Sequence, residues 1–315
     1  MTWRSSFSAL QRMAWVAAIV IASLSVTGAP AQVGPQLSAH DLAKLPPTRP
    51  DAQPDIWDMQ DGLIARSIAR IPAASGHPNI YAVAIDPLAR QKLFSREAKV
   101  ALQDFAANYG GTAGSGVLLS NSPDDMTDAP LATRQNIADV LGRIGSMTRS
   151  SPDDVVVIYL VSHGGPDASL ETGMSGGMGI LAITADSMAA AINRAQIGRR
   201  VIIISACFSG SWIPKLADDN AIIITAAQAD RTSFGCAENR PLTYFGEAFL
   251  HGPFAQGASL HDSYEGAKKT VTQQESDEKL LNSNPQFYVG KNMQAFWDTA
   301  SKPQPAMQRT AAARP

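Results

Sequence analysis

Two apolar runs end in residues able to do chemistry: 155–161 continues into Ser162-His163-Gly164-Gly165-Pro166, and 201–205 into Ala206-Cys207-Phe208-Ser209-Gly210-Ser211. A neutral thiol is a weak nucleophile, and a nearby imidazole activates it by accepting its proton. The same imidazole can later protonate a leaving amine. His163 and Cys207 therefore have the types needed for covalent cleavage of an acyl bond. Gly164, with no side chain, lets a substrate carbonyl approach the main chain. Its N–H and that of Cys207 are the natural donors to a developing oxyanion.

Chemistry of this kind requires that the two runs be neighbouring strands. Val-Val-Val-Ile-Tyr-Leu-Val at 155–161, Val-Ile-Ile-Ile at 201–204 and Ile-Ile-Ile at 222–224 are almost continuously apolar and mostly β-branched, as in strands buried on both faces. The sequence predicts strands over 80–85, 116–120, 155–161, 201–205 and 221–225. Helices are expected over 95–109, 133–147, 184–196, 243–250 and 259–274, with Ser95 and Glu97, and Thr133 near Pro130, as start signals. Strands alternating with helices specify an α/β domain with a mainly parallel sheet, whose sites lie at the carboxyl edge of the strands. His163 and Cys207 are 44 positions apart, the length of one β-helix-β crossover, so both reach that edge.

Other chemistries fit less well. Ser209-Gly210-Ser211 also follows a strand, but Ser209 has Cys207 where a G-x-S-x-G elbow has glycine. His40, His77, His251 and His261 follow no buried strand. There is no H-E-x-x-H, zinc-spaced Cys/His set or phosphate-binding glycine loop, so no metal or cofactor is implied. Cys207 and Cys236 are the two cysteines, and in an exported chain they could be read as one disulfide; the flanking residues of Cys207 favour a nucleophile.

Composition bounds the rest. The 315 residues, 45% hydrophobic and 17% charged, can bury a large core. Twenty-six basic and 28 acidic residues are dispersed without blocks of like charge, which gives no reason to expect a nucleic-acid partner. Arg4 and Arg12, the apolar run 13–26 and Gly28-Ala29-Pro30-Ala31 read as a secretory signal cleaved after Ala31, and hence as export to the periplasm or medium. An uncleaved anchor is the alternative, but the run falls short of the roughly 20 residues that span a bilayer. A flexible linker over 32–54, a catalytic domain over 55–300 and a disordered tail over 301–315 complete the expected organisation.

These motifs together resemble the paired His-Gly and Ala-Cys-x-Ser motifs of legumain-type cysteine peptidases, of the caspase-like superfamily, and most closely a bacterial branch of them. Thr225-Ala226-Ala227-Gln228-Ala229-Asp230-Arg231-Thr232-Ser233-Phe234-Gly235-Cys236, followed by Thr243-Tyr244-Phe245-Gly246-Glu247, resembles the family's segment after the nucleophile. The resemblance spans about 80–288. It implies an α/β/α sandwich around a six-stranded, mainly parallel sheet, a cofactor-free peptidase acting on peptide or protein substrates, and His163 with Cys207 as the dyad. It also implies a pocket for the residue before the cut, formed by Arg96, Thr232, Ser233 and Glu247. The family's glutamate two residues before the nucleophile is here Ser205, which makes a basic side chain facing Glu247 an alternative to asparagine. Cys236 matches a family cysteine that need not be bonded. A transamidase using the same dyad, and a catalytically silent binding module, are the competing functions.

Overall fold

A computed structural model describes residues 55–74, 78–174 and 180–299. The expected signal, the linker with His40, His77 and the tail over 301–315 lie outside them. The continuous apolar runs become the central strands: β1 (Ile80–Asp86), β2 (Val117–Ser120), β3 (Val155–Val161), β7 (Arg199–Ser205) and β8 (Ala221–Thr225). They lie in the order β2-β1-β3-β7-β8, all parallel. A sixth strand, β9 (Gln286–Val289), joins the β8 edge antiparallel. Every residue of β1 and β3 is buried.

Period two then divides the core. Val157, Tyr159, Val161, Val201 and Ile203 face one layer, built from α2 (Lys92–Tyr109), α6 (Tyr244–Leu250), α7 (Leu260–Asp277) and α8 (Gln294–Asp298). Val156, Ile158, Leu160, Ile202 and Ile204 face the other, built from α1 (Gln60–Ala69), α3 (Arg134–Thr148), α4 (Ala185–Ala195) and the short α5 (Ile213–Leu216). The result is a three-layer α/β/α sandwich with a six-stranded, mainly parallel sheet, as expected. At about 1.5–3 kcal/mol for each fully buried aliphatic side chain, these two faces dominate the stability. No helix among the described residues is long and apolar enough to cross a membrane.

The helix signals fare unevenly. Thr133 caps α3, accepting from the Asn136 N–H at 3.1 Å. In contrast, α2 starts at Lys92, three residues before Ser95. The Ser95 hydroxyl donates to Asp125 at 2.6 Å, and Glu97 is completely buried, so both serve tertiary contacts and not a cap. Helix α1 and strand β9 have no counterpart in the sequence expectation. Between β3 and α4 the crossover also carries a small antiparallel sheet, β4 (Gly164–Gly165), β5 (Ser169–Leu170) and β6 (Ile183–Thr184).

Candidate active site

Register places the two candidate residues. Val161 of β3 pairs with Ser205 of β7, so His163 and Cys207 each lie two residues beyond paired positions at the carboxyl edge. The chains remain close past the sheet. A Cβ on Gly164 would overlap the Cys207 carbonyl oxygen, so glycine is required there by the neighbouring backbone. Gly164→Ala is expected to force the His163 and Cys207 segments apart. Overpacking of this kind costs about 1–3 kcal/mol, which thermal denaturation would register alongside a loss of turnover.

Immediately after Cys207 the chain turns sharply. Phe208 has φ 56° and ψ 15°, the left-handed region that a bulky residue rarely occupies. Its N–H donates to the Arg231 carbonyl at 2.7 Å, which holds the turn against the 231–243 segment. That segment forms a wall over the thiol: the Ser233 N–H donates to Cys207 Sγ at 3.3 Å, and the Ser233 hydroxyl lies at 3.6 Å. The thiol in turn donates to the Ser233 carbonyl at 3.4 Å. Both cysteines are free and half-buried.

His163 is held from a different direction. Its Nε2 lies 2.8 Å from Gln91 Oε1, and the Gln91 amide nitrogen donates to the Cys236 carbonyl. Because the amide nitrogen is engaged by that carbonyl, Oε1 must accept, and His163 carries its proton on Nε2. The neutral ring then presents Nδ1 as its basic atom. Phe94 packs on the ring edge to face, with centroids 5.1 Å apart. Burial pushes the His163 pKa below its ordinary value; the Glu171 carboxylate opposes this, and the Arg90 guanidinium adds to it. Arg90 and Glu171 are themselves paired at 2.6 Å. Among the described residues no hydrogen bond joins the His163 ring to the thiol, each being held by its own partner. A cleft of about 460 Å³ opens beside His163, lined by Gly164, Gly165, Glu171, Thr172 and Ile180.

The structure therefore brings His163, Gly164, Cys207 and Ser233 together, with Thr232 exposed next to Ser233. It gives the other expected pocket residues different surroundings. Ser205 is buried beneath the nucleophile, 3.0 Å from the Thr243 hydroxyl. Arg96 donates to the carbonyls of Glu238 and Arg240 at 3.0 and 2.9 Å, so its guanidinium grips the wall segment. Glu247 pairs with Arg240 at 2.8 Å and lines a separate cavity of about 360 Å³ with Tyr244 and His251. The two serines after the nucleophile are committed as well: Ser209 donates to the Ala227 carbonyl and Ser211 to that of Phe208. Among the described residues no group of three or more His, Cys, Asp or Glu could hold a metal ion.

Gln91 is the site residue that sequence reasoning missed. The available signal was its position, since the turn after β1 emerges at the carboxyl edge beside β3.

Residues 118–296 match the Peptidase C13 family. No curated protein matches the chain. Among solved structures, caspase-1 from Spodoptera frugiperda is similar at 11% identity, over 70% of this chain and 93% of that one, with a TM-score of 0.47. A secreted C11 cysteine protease from Bacteroides thetaiotaomicron is similar at 11% identity, over 64% and 60% of the two chains, with a TM-score of 0.38. The matched segment carries β3, β7 and β8, the crossover between them and the wall over Cys207, and on that match the chain belongs to the peptidase C13 family, the legumain-type cysteine peptidases.

Proposed function

We propose that the protein is an endopeptidase in which Cys207 is the nucleophile and His163 its base and acid. The observation that carries this reading is the shared register that puts both residues two positions past the Val161–Ser205 pair. His163 Nδ1 takes the thiol proton, and Sγ forms a bond to the peptide carbonyl carbon. The carbonyl oxygen gains the charge, with the N–H groups of Gly164 and Cys207 as its donors. When the C–N bond breaks, the imidazolium returns its proton to the leaving amine, and water then hydrolyses the thioester with the ring as base.

Gln91 supports the sequence by holding the ring with Nε2 protonated. The Ser233 contacts support it by holding the sulfur in place beyond the end of β7. The pocket for the residue before the cut takes its shape from the wall around Ser233 and Thr232. Arg96 and Glu247 contribute indirectly, through the backbone of that wall and through Arg240. Mass spectrometry of products from a peptide library tests the proposal: internal cleavage is expected, abolished when the chain is first alkylated. Intact peptides, or cleavage that survives alkylation of Cys207, would refute it.

A further inference from the structure

One buried carboxylate connects the parts of this site and takes no part in the chemistry above. Glu97 of α2 is wholly inaccessible, and its oxygens accept from the Tyr159 hydroxyl and from the Thr243 N–H, each at 2.8 Å. Tyr159 lies four residues before His163 on β3. Thr243 caps α6 by accepting from the Gly246 N–H at 2.9 Å, and its hydroxyl meets that of Ser205, two residues before Cys207 on β7. A Cβ on Gly246 would overlap the Glu97 carboxylate, so α6 approaches this closely only because residue 246 is glycine.

From Thr243 the connection runs back to the thiol. The Tyr244 N–H donates to the Phe234 carbonyl at 3.1 Å, and the preceding residue, Ser233, touches Sγ. Arg96, beside Glu97 on α2, holds the carbonyls of Glu238 and Arg240 farther along the same wall. Two consecutive residues of one helix thus grip the segment over Cys207 at separate points. Burial raises the Glu97 pKa, while the hydroxyl and N–H donors of Ser205, Thr243 and Tyr159 pull it back down.

Resting on the nucleophile reading, we propose that Glu97 is a positioning residue: it ties the wall segment to the strands bearing His163 and Cys207, and so keeps the Ser233 donors on the thiol. The test is the pH dependence of Cys207 alkylation by iodoacetamide on the full chain, with modification at Cys207 followed by peptide mass mapping, because the rate follows the thiolate fraction. Glu97→Gln keeps the shape of the side chain but turns one of its two acceptor oxygens into an amide donor facing the Tyr159 and Thr243 donors. The wall loosens, the sulfur loses donors, and the alkylation midpoint is expected to rise by about half a pH unit or more. An unchanged or lowered midpoint overturns the proposal. Thr243→Ala should raise the midpoint too and Thr243→Ser should restore it, which decides the matter if Glu97→Gln does not fold. A wild-type chain that neither cleaves peptides nor alkylates at Cys207 overturns the nucleophile reading and the role of Glu97 with it. An active wild type with an unmoved Glu97→Gln midpoint overturns the role of Glu97 alone.

Discussion

Cys207→Ala is expected to abolish peptide cleavage, with a fall in turnover on the order of 10⁴-fold or more, as when a covalent nucleophile is removed from a unit that acts together. The fold should tolerate the change. Cys207 is half-buried at a strand-to-helix turn, and the variant gives up only the Sγ contacts with Ser233. A melting temperature within a few degrees of wild type is therefore expected, and the two measurements separate lost chemistry from lost structure. A thiol-reactive peptide probe gives a second reading, since it should label the wild type at Cys207 and leave the variant unlabelled. Cys236 is a built-in control. Burial, and after it the electrostatic influence of Cys207, push its thiol pKa up, which lowers its reactive thiolate fraction. Equal labelling of wild type and variant would remove Cys207 from the mechanism.

The second large effect belongs to His163. His163→Ala removes both proton transfers, for an expected loss of roughly 10²–10⁴-fold. Its signature in the wild type is the acid limb of the pH–rate profile. The ring must be neutral to accept the thiol proton, so activity falls as pH drops through the His163 pKa. Burial, helped by Arg90 against Glu171, places that pKa below the ordinary histidine value of 6.5. The limb should therefore lie on the acid side of 6.5 in kcat/KM, and His163→Ala should erase it. A limb at or above 6.5 would mean that another group governs the acid side, or that the ring is more exposed than its packing against Phe94 and Gln91 indicates.

The specificity pocket shows how contacts change the meaning of a residue. Sequence resemblance makes Arg96 and Glu247 a complementary pair of charges for a substrate side chain. In the fold, Arg96 gives its donors to backbone carbonyls of the wall, and Glu247 is paired with Arg240. Their side chains shape the wall and its support. Specificity is better sought among groups next to Sγ, starting with Ser233.

Much of this was legible along the chain. Strands over 155–161 and 221–225 coincide with β3 and β8, because a continuous β-branched run can bury both faces only inside a parallel sheet. Helices α3 and α4 fall within a residue of expectation at each end, because threonine caps at 133 and 184 fix their starts. Strand β9 escaped because it is a short edge strand in which Phe287 is exposed and the other three residues are only partly buried, so its short Phe-Tyr-Val run does not read as a buried strand.

The sequence by itself determined the candidates, His163 after one buried strand and Cys207 after another, because burial of both sheet faces is written locally in residue type and period. Only the tertiary structure decided what surrounds them. Gln91 reaches His163 across 72 residues of chain, Ser233 reaches Cys207 across 26, and Glu97 meets Thr243 across 146. Such partners arise from strand order and helix packing, which bring distant positions within hydrogen-bonding distance of one another, and no spacing along the chain records them.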